Sequence, residues 1–310
     1  MLRRLFTALT LISLLLVACQ AAGSNARPGL RVLAVETFLA DIVRNVAGDR
    51  LKVDALMPVG ADPHSFEPAP ADLAKVADAD VLIVNGAGFE AFLQKLLENA
   101  GGEQQIIEAA AGLESRKASA GEAESEHASE SGHAEGDPHF WLDPINVIQY
   151  VENIRDGLSR ADPEGKAVYS QNAAAYVAQL KELDGWIAGQ AAQIPAARRL
   201  LVTNHETLGY FADRYGFKII GAILPSVSSA ASPSAQQLAQ LVDEIKTSGA
   251  PAIFLEVEAN PQLAEQIGQE TGLRIITNLY THSTSNPGGP APTYLEMMRH
   301  NTLAIVEALK

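Results

Sequence analysis

Arg31-Val32-Leu33-Ala34-Val35-Glu36 is a short β-rich run, and a helical pattern over Phe38–Ala47 follows it at once. The same alternation continues along the chain. Runs at Val53–Met57, Val81–Asn85, Ile106–Glu108, Leu200–Thr203, Lys218–Leu224, Ala252–Val257 and Arg274–Leu279 read as strands. Helical patterns lie between them at Pro70–Ala77, Phe89–Asn99, Ile145–Ala161, Thr207–Tyr215, Ala235–Ser248 and Pro261–Thr271. Strands alternating with helices make βαβ units, so the expected class is α/β with parallel sheets.

The pattern occurs twice. Leu33-Ala34-Val35 corresponds to Leu201-Val202-Thr203, Pro58 to Pro225, and Val81–Gly86 to Ala252–Val257, at offsets of 168, 167 and 171. In each half a strand leads to Pro and a loop, and a Pro-containing segment opens the next helix: Glu67-Pro68-Ala69-Pro70 and Ala231-Ser232-Pro233-Ser234. Two related lobes account for the near-constant offset, although unrelated α/β domains can also share such spacing. Between them, Pro163 to Ile194 reads as one long helix with Asp162 as its cap and Pro163 in its first turn. Its Tyr169, Ala173, Tyr176, Leu180, Leu183 and Ile187 share a face. The expected organisation is a lobe over 30–162, a linking helix over 163–194 and a lobe over 195–310.

The first 29 residues differ in kind. Arg3 and Arg4 precede an apolar run from Leu5 to Val17, and Leu16-Val17-Ala18-Cys19 closes it. A run of 13 residues is too short to span a bilayer of about 30 Å as a helix, so 1–18 reads as a signal peptide. Leu16-Val17-Ala18-Cys19 resembles a bacterial lipobox, which implies lipid on Cys19 and cleavage before it; the alternative is a signal anchor with a chance cysteine. Residues 19–29 would then be a flexible tether. The expected place is the cell envelope, on the outer face of the cytoplasmic membrane or in the periplasm.

Charge and cysteine count narrow the partners. Of the 310 residues 47% are hydrophobic and 19% charged, enough apolar content for sizeable cores. The formal charge of −14 becomes −16 without Arg3 and Arg4, which argues against nucleic acid and suits a cationic partner. With Cys19 as the only cysteine, any metal must be held by His, Asp or Glu. Glu114 to Gly136, rich in Glu, Ser, Ala, Gly and His, is expected to be a mobile acidic loop. Its His127 and His133 are candidate weak metal sites, against the alternative of a solvated spacer.

Of the seven histidines, His300 falls in the amphipathic C-terminal helix and reads as a partly exposed surface residue. The four outside that helix and the acidic loop are His64 in Asp62-Pro63-His64, His139 in Asp137-Pro138-His139, His205 in Asn204-His205-Glu206, and His282 in Thr281-His282-Ser283. Each stands after a strand or in a loop, and the carboxyl ends of parallel strands face the ligand crevice. Singly each reads as structural. Together, two from each half, they can form a tetrahedral site for a divalent ion such as Zn2+. Glu256 is a candidate to orient an imidazole N–H from behind, and Glu206 is a further candidate.

At this point the sequence resembles the metal-binding lipoproteins of bacterial ABC importers for zinc and manganese, the cluster A-I solute-binding proteins. The resemblance covers nearly all of 30–310. It rests on Pro63-His64-Ser65-Phe66-Glu67-Pro68, Pro138-His139-Phe140-Trp141-Leu142-Asp143-Pro144, His205-Glu206-Thr207-Leu208-Gly209-Tyr210-Phe211 with Tyr215-Gly216, and Pro290-Ala291-Pro292-Thr293-Tyr294-Leu295-Glu296-Met297-Met298. It implies two lobes, each with a four-stranded parallel sheet flanked by helices, joined by one long helix. A metal is then held between them and handed to a membrane permease. By motif position the first three ligands carry over to His64, His139 and His205. The fourth position, usually Asp, is here His282. An imidazole there removes a hard anionic oxygen and favours zinc over manganese. Glu256 remains an alternative fourth ligand.

The leading expectation is a monomeric, lipid-anchored zinc-capture protein with an importer permease as partner and no enzymatic activity. A manganese- or iron-binding member of the same family is the alternative. A zinc hydrolase with Glu206 or Glu256 as general base is disfavoured, because four histidines leave no open position for water. A metal-stabilised adhesin is the remaining class.

Overall fold

The computed structural model describes residues 30–117 and 136–310. Eight strands among them form two parallel four-stranded sheets. The first contains β1 (Val32–Ala34), β2 (Val53–Ala55), β3 (Val81–Val84) and β4 (Gln105–Glu108); the second contains β5 (Leu200–Thr203), β6 (Lys218–Ala222), β7 (Ala252–Glu256) and β8 (Arg274–Leu279). The spatial orders are β2-β1-β3-β4 and β6-β5-β7-β8, the same arrangement twice. The repeat legible in the spacing is therefore a repeat of topology.

Around the sheets pack α1 (Thr37–Ala47), α2 (Pro70–Asp78), α3 (Leu93–Ala100), α4 (Asn146–Ala161), α5 (Lys166–Ala191), α6 (Gly209–Tyr215), α7 (Ala235–Ser248), α8 (Gln262–Thr271) and α9 (Tyr294–Leu309). Most lie within two residues of the sequence pattern. Helix α3 does not, because the expected first turn at Phe89 is occupied otherwise. Gly86, Ala87 and Gly88 all have positive φ, and the Glu90 carboxylate accepts the N–H groups of Asn85 and Gly86. That carboxylate is buried with Glu36, and burial raises both above the ordinary carboxylate range; at Glu36 the charge of Glu90 adds to it, while at Glu90 the backbone N–H groups and the hydrogen bond with Glu36 act against it.

The long helix also differs from expectation. Pro163–Gly165 forms a separate 3-10 turn and α5 begins at Lys166. Asp162 does not cap it. Its carboxylate instead accepts Arg50 Nη2 at 2.8 Å and the Tyr169 hydroxyl at 2.6 Å, a buried ion pair that ties the end of α4 to α5. At 1.5 Å per residue, the 26 residues of α5 span about 39 Å.

Each sheet has two different faces. Leu33, Val35, Leu82 and Val84 face a local cluster in the N-terminal half, and Val202, Ile253 and Leu255 face one in the C-terminal half. The opposite faces, including Val32, Ile83, Leu201 and Phe254, meet one continuous core with Tyr169, Tyr176, Leu183 and Ile187 of α5 and Met297, Met298 and Ile305 of α9. Separating the halves widely would break that core, at roughly 25 cal/mol for each Å² of apolar surface exposed. One shared core therefore joins the two halves beside the crevice.

Polar contacts across the crevice add to this. Trp141 Nε1–H donates to Thr281 O at 2.7 Å and the Tyr294 hydroxyl to Trp141 O at 2.6 Å. Gly60 N–H donates to Ser283 Oγ at 2.8 Å, and Thr284 N–H to Thr37 Oγ1 at 2.8 Å.

Candidate metal centre

The loops at the carboxyl ends of the strands bring His64, His139, His205 and His282 together. One nitrogen of each lies within 4.8 Å of one nitrogen of every other. His205 follows β5 by two residues and His282 follows β8 by three; His64 sits in the loop between β2 and α2. His139 follows no strand directly. It opens the 3-10 turn Phe140–Leu142, with Pro138 beside it. Two imidazoles come from each half, as the sequence suggested.

The spacing fits a tetrahedral cation. A tetrahedron with metal–nitrogen bonds of about 2.0–2.1 Å has edges of about 3.3–3.4 Å. His139 Nε2 lies 3.3 Å from His64 Nε2 and 3.4 Å from His282 Nε2. His139 and His205 are fully buried and His282 is 2% exposed, while His64 is half-buried at the edge. Neither nitrogen of His205 has a hydrogen-bond partner among the described residues. A buried ring nitrogen without a hydrogen-bond partner, within 4.8 Å of a nitrogen on each of three other rings, suits an electron-pair acceptor such as a metal ion.

Behind three of the rings stands a carboxylate. His139 Nδ1 is 2.8 Å from Asp137 Oδ1, and His282 Nδ1 is 2.8 Å from Glu258 Oε1. His205 Nδ1 is 3.1 Å from Glu256 Oε1, at ion-pair distance without the alignment of a hydrogen bond. The sequence suggested Glu256 for such a place and missed Asp137 and Glu258. Asp137 is two residues before His139, and also accepts that residue's backbone N–H at 2.9 Å and Arg116 Nη1 at 3.2 Å. Glu206, the other carboxylate suggested, is half-buried and donates its backbone N–H to Ser226 O.

These surroundings set the protonation of the rings. Burial, and then the charges of His205, His282 and His64, hold His139 well below its ordinary value. Burial also lowers His282, but the hydrogen bond and charge of Glu258, with the charges of Asp62 and Glu256, outweigh it and leave that ring raised. Burial pushes Asp137 up to about 7, with Arg116 and the His139 N–H acting against it. A dication on the imidazoles would draw all three toward their deprotonated forms.

An aromatic wall closes the N-terminal side. The Phe89 ring meets the His64 ring edge-on at 5.1 Å, and Trp141 stacks on Phe38 at 4.5 Å. On the other side a cavity of about 490 Å³, lined among others by Asp62, Asn204, Glu256 and Glu258, reaches His205 and His282. The acidic loop expected over 114–136 is anchored at its ends. Arg116 N–H donates to the Tyr210 hydroxyl at 2.9 Å, its guanidinium reaches Asp213 at 2.6 Å, and Arg116 bridges to Asp137. His127, His133 and Cys19 lie outside the described residues. His300 is on α9, half-buried, with its Nε2 2.9 Å from Asn278 O.

The family model described as "Zinc-uptake complex component A periplasmic" matches residues 32–308. A manganese-binding lipoprotein of Halalkalibacterium halodurans is 33% identical over 305 residues, covering 96% of this chain and 96% of that protein. An iron ABC transporter substrate-binding lipoprotein of Streptococcus pyogenes serotype M1 is 31% identical, covering 95% and 94%. Among solved structures, the periplasmic zinc binding protein from Treponema pallidum superposes with a TM-score of 0.79 at 27% identity, over 90% of this chain and 99% of that one. A manganese-bound variant of the periplasmic metal binding protein from Candidatus Liberibacter asiaticus gives a TM-score of 0.79 at 29% identity, over 91% and 100%.

Proposed function

Because the chain belongs to the periplasmic zinc-uptake complex component A family, we propose that it captures zinc between its two halves and delivers it to the permease of an ABC importer. It is a metal-binding component of such a system, as its relatives are named. Zinc as the cargo rests on one observation: four imidazoles converge with ring nitrogens 3.3 and 3.4 Å apart. His64, His139, His205 and His282 are the proposed ligands. Manganese suits carboxylate and water, whereas four neutral nitrogens suit zinc. Relatives named for manganese and iron make the choice of metal the point to test.

The four-imidazole set leaves no position for an activated water, which supports a binding role over hydrolysis. No helix among the described residues is long and apolar enough to cross a membrane. Attachment would come through lipid on Cys19, with the chain acting as a monomer on the outer side of the membrane. The purified protein, titrated with zinc, manganese and iron(II) in competition and followed by metal analysis, is expected to hold one tight equivalent of zinc that excess manganese does not displace. Displacement by equimolar manganese would overturn the zinc reading and leave the importer reading intact.

His127 and His133 extend this reading as weak collecting sites. Because Arg116 braces Asp137 and Asp213, the deletion that tests them must spare 114–117 and Gly136. Removing 118–135 is expected to abolish a weak zinc event in calorimetry and leave the tight one unchanged. Identical titrations would mean that this stretch takes no part.

A further inference from the structure

Glu258 lies two residues beyond the end of β7, in the wall of the cavity that reaches the imidazole cluster. Its side chain is 7% exposed, and Oε1 is 2.8 Å from His282 Nδ1. The other nitrogen of that ring, Nε2, faces His139 Nε2 at 3.4 Å. The two ring nitrogens of His282 thus have different tasks. A neutral imidazole offers a lone pair at Nε2 only when its proton is on Nδ1, and an ionised carboxylate at Nδ1 can only accept.

Glu258 is unlike the other two carboxylates of the site. Asp137 divides its charge among His139, Arg116 and a backbone N–H. Glu256 lies beside His205 without hydrogen-bond alignment. Glu258 takes no hydrogen bond among the described residues other than that of His282, and its Oε2 is buried and unpartnered. Its whole negative charge therefore stands behind one ligand. Four neutral imidazoles bring no charge to a dication, so a carboxylate set one ring back supplies the attraction that a direct oxygen ligand would otherwise give.

We propose that Glu258 is a positioning and specificity-determining residue, which holds His282 in the Nδ1–H tautomer and so makes it a nitrogen ligand that selects zinc or cobalt over manganese. This rests on the reading that the four imidazoles hold the cargo. Deprived of Glu258, the ring can turn its N–H toward the cluster, leaving a three-imidazole site completed by water. Such a site discriminates less against oxygen-preferring ions.

The test uses cobalt(II) as a spectroscopic stand-in for zinc, in the full protein and in Glu258→Gln, Glu258→Asp, His282→Ala and the Glu258→Gln/His282→Ala double variant. The apo melting temperature of each is measured alongside. The wild type is expected to give the intense visible absorption of four-coordinate cobalt. Glu258→Gln, of the same shape without the charge, should bind cobalt and zinc about 10–100-fold more weakly and give the spectrum of His282→Ala. Glu258→Asp keeps the charge and should recover part of the loss. The double variant should bind no more weakly than His282→Ala, since Glu258 acts through that ring. A wild-type spectrum and affinity in Glu258→Gln, or losses that multiply in the double variant, would overturn the proposal. Absence of a four-coordinate band in the wild type would instead sink the reading on which it rests.

Discussion

His139→Ala lowers zinc affinity by more than about 100-fold, which is about 2.8 kcal/mol, in a chelator-competition titration. The ring is at the centre of the cluster, with Nε2 3.3 Å from that of His64 and 3.4 Å from that of His282. Its loss removes the nitrogen that both neighbours face, and it frees the Asp137 carboxylate from Nδ1. An outer partner of a metal ligand typically contributes 10–100-fold, and a ligand together with its partner should exceed that. The apo fold should survive, because Asp137 keeps Arg116 and the core along α5 is untouched. Affinity within about threefold of wild type would remove His139 from the ligand set.

His282→Asp changes both pH dependence and metal preference. Each imidazole must shed its proton to bind, so a ligand with a raised value competes with protons first as pH falls. His282 is raised by Glu258, whereas burial and the neighbouring rings keep His139 neutral far below its ordinary value. Zinc affinity should therefore begin to fall above pH 6.5, initially with one proton taken up rather than four. Four imidazoles could in principle compete with up to four protons, but burial keeps His139 out of that competition. An Asp at position 282 would be held ionised by a dication bound to it and starts from an ordinary value near 3.9, well below that of imidazole, so the fall should move to lower pH and become shallower. The added hard oxygen should also raise manganese binding relative to zinc by about 10-fold, or about 1.4 kcal/mol. Parallel zinc and manganese titrations between pH 5 and 8 read both effects. An unchanged profile and preference would mean that His282 does not meet the metal.

Much of this architecture could be read from the chain because it depends on local pattern. β5, β8 and α7 match their sequence runs, since apolar periodicity and the Ser234 cap act within a few residues. The repeat in the spacing became two sheets of the same strand order. The four histidines were legible because they flank turn residues at loop positions, and such loops converge in parallel sheets. What escaped depends on side chains distant in sequence. Asp162 has the composition of a helix cap, yet Arg50 claims it from 112 residues away. Glu258 is 24 residues from His282, and only the pairing of β7 with β8 brings them together. A signal was present all the same: Glu256-Val257-Glu258 places two acids two residues apart at the carboxyl end of a central strand. Asp137 was closer to hand, since an acid two residues before a candidate ligand can fold back on its ring.

The most direct measurement is the zinc K-edge X-ray absorption spectrum of the protein loaded with one equivalent of zinc. Four nitrogen donors at about 2.0–2.1 Å, with the outer-shell scattering of four imidazole rings, are expected from His64, His139, His205 and His282. An oxygen-rich shell with two or fewer imidazoles would contradict the account.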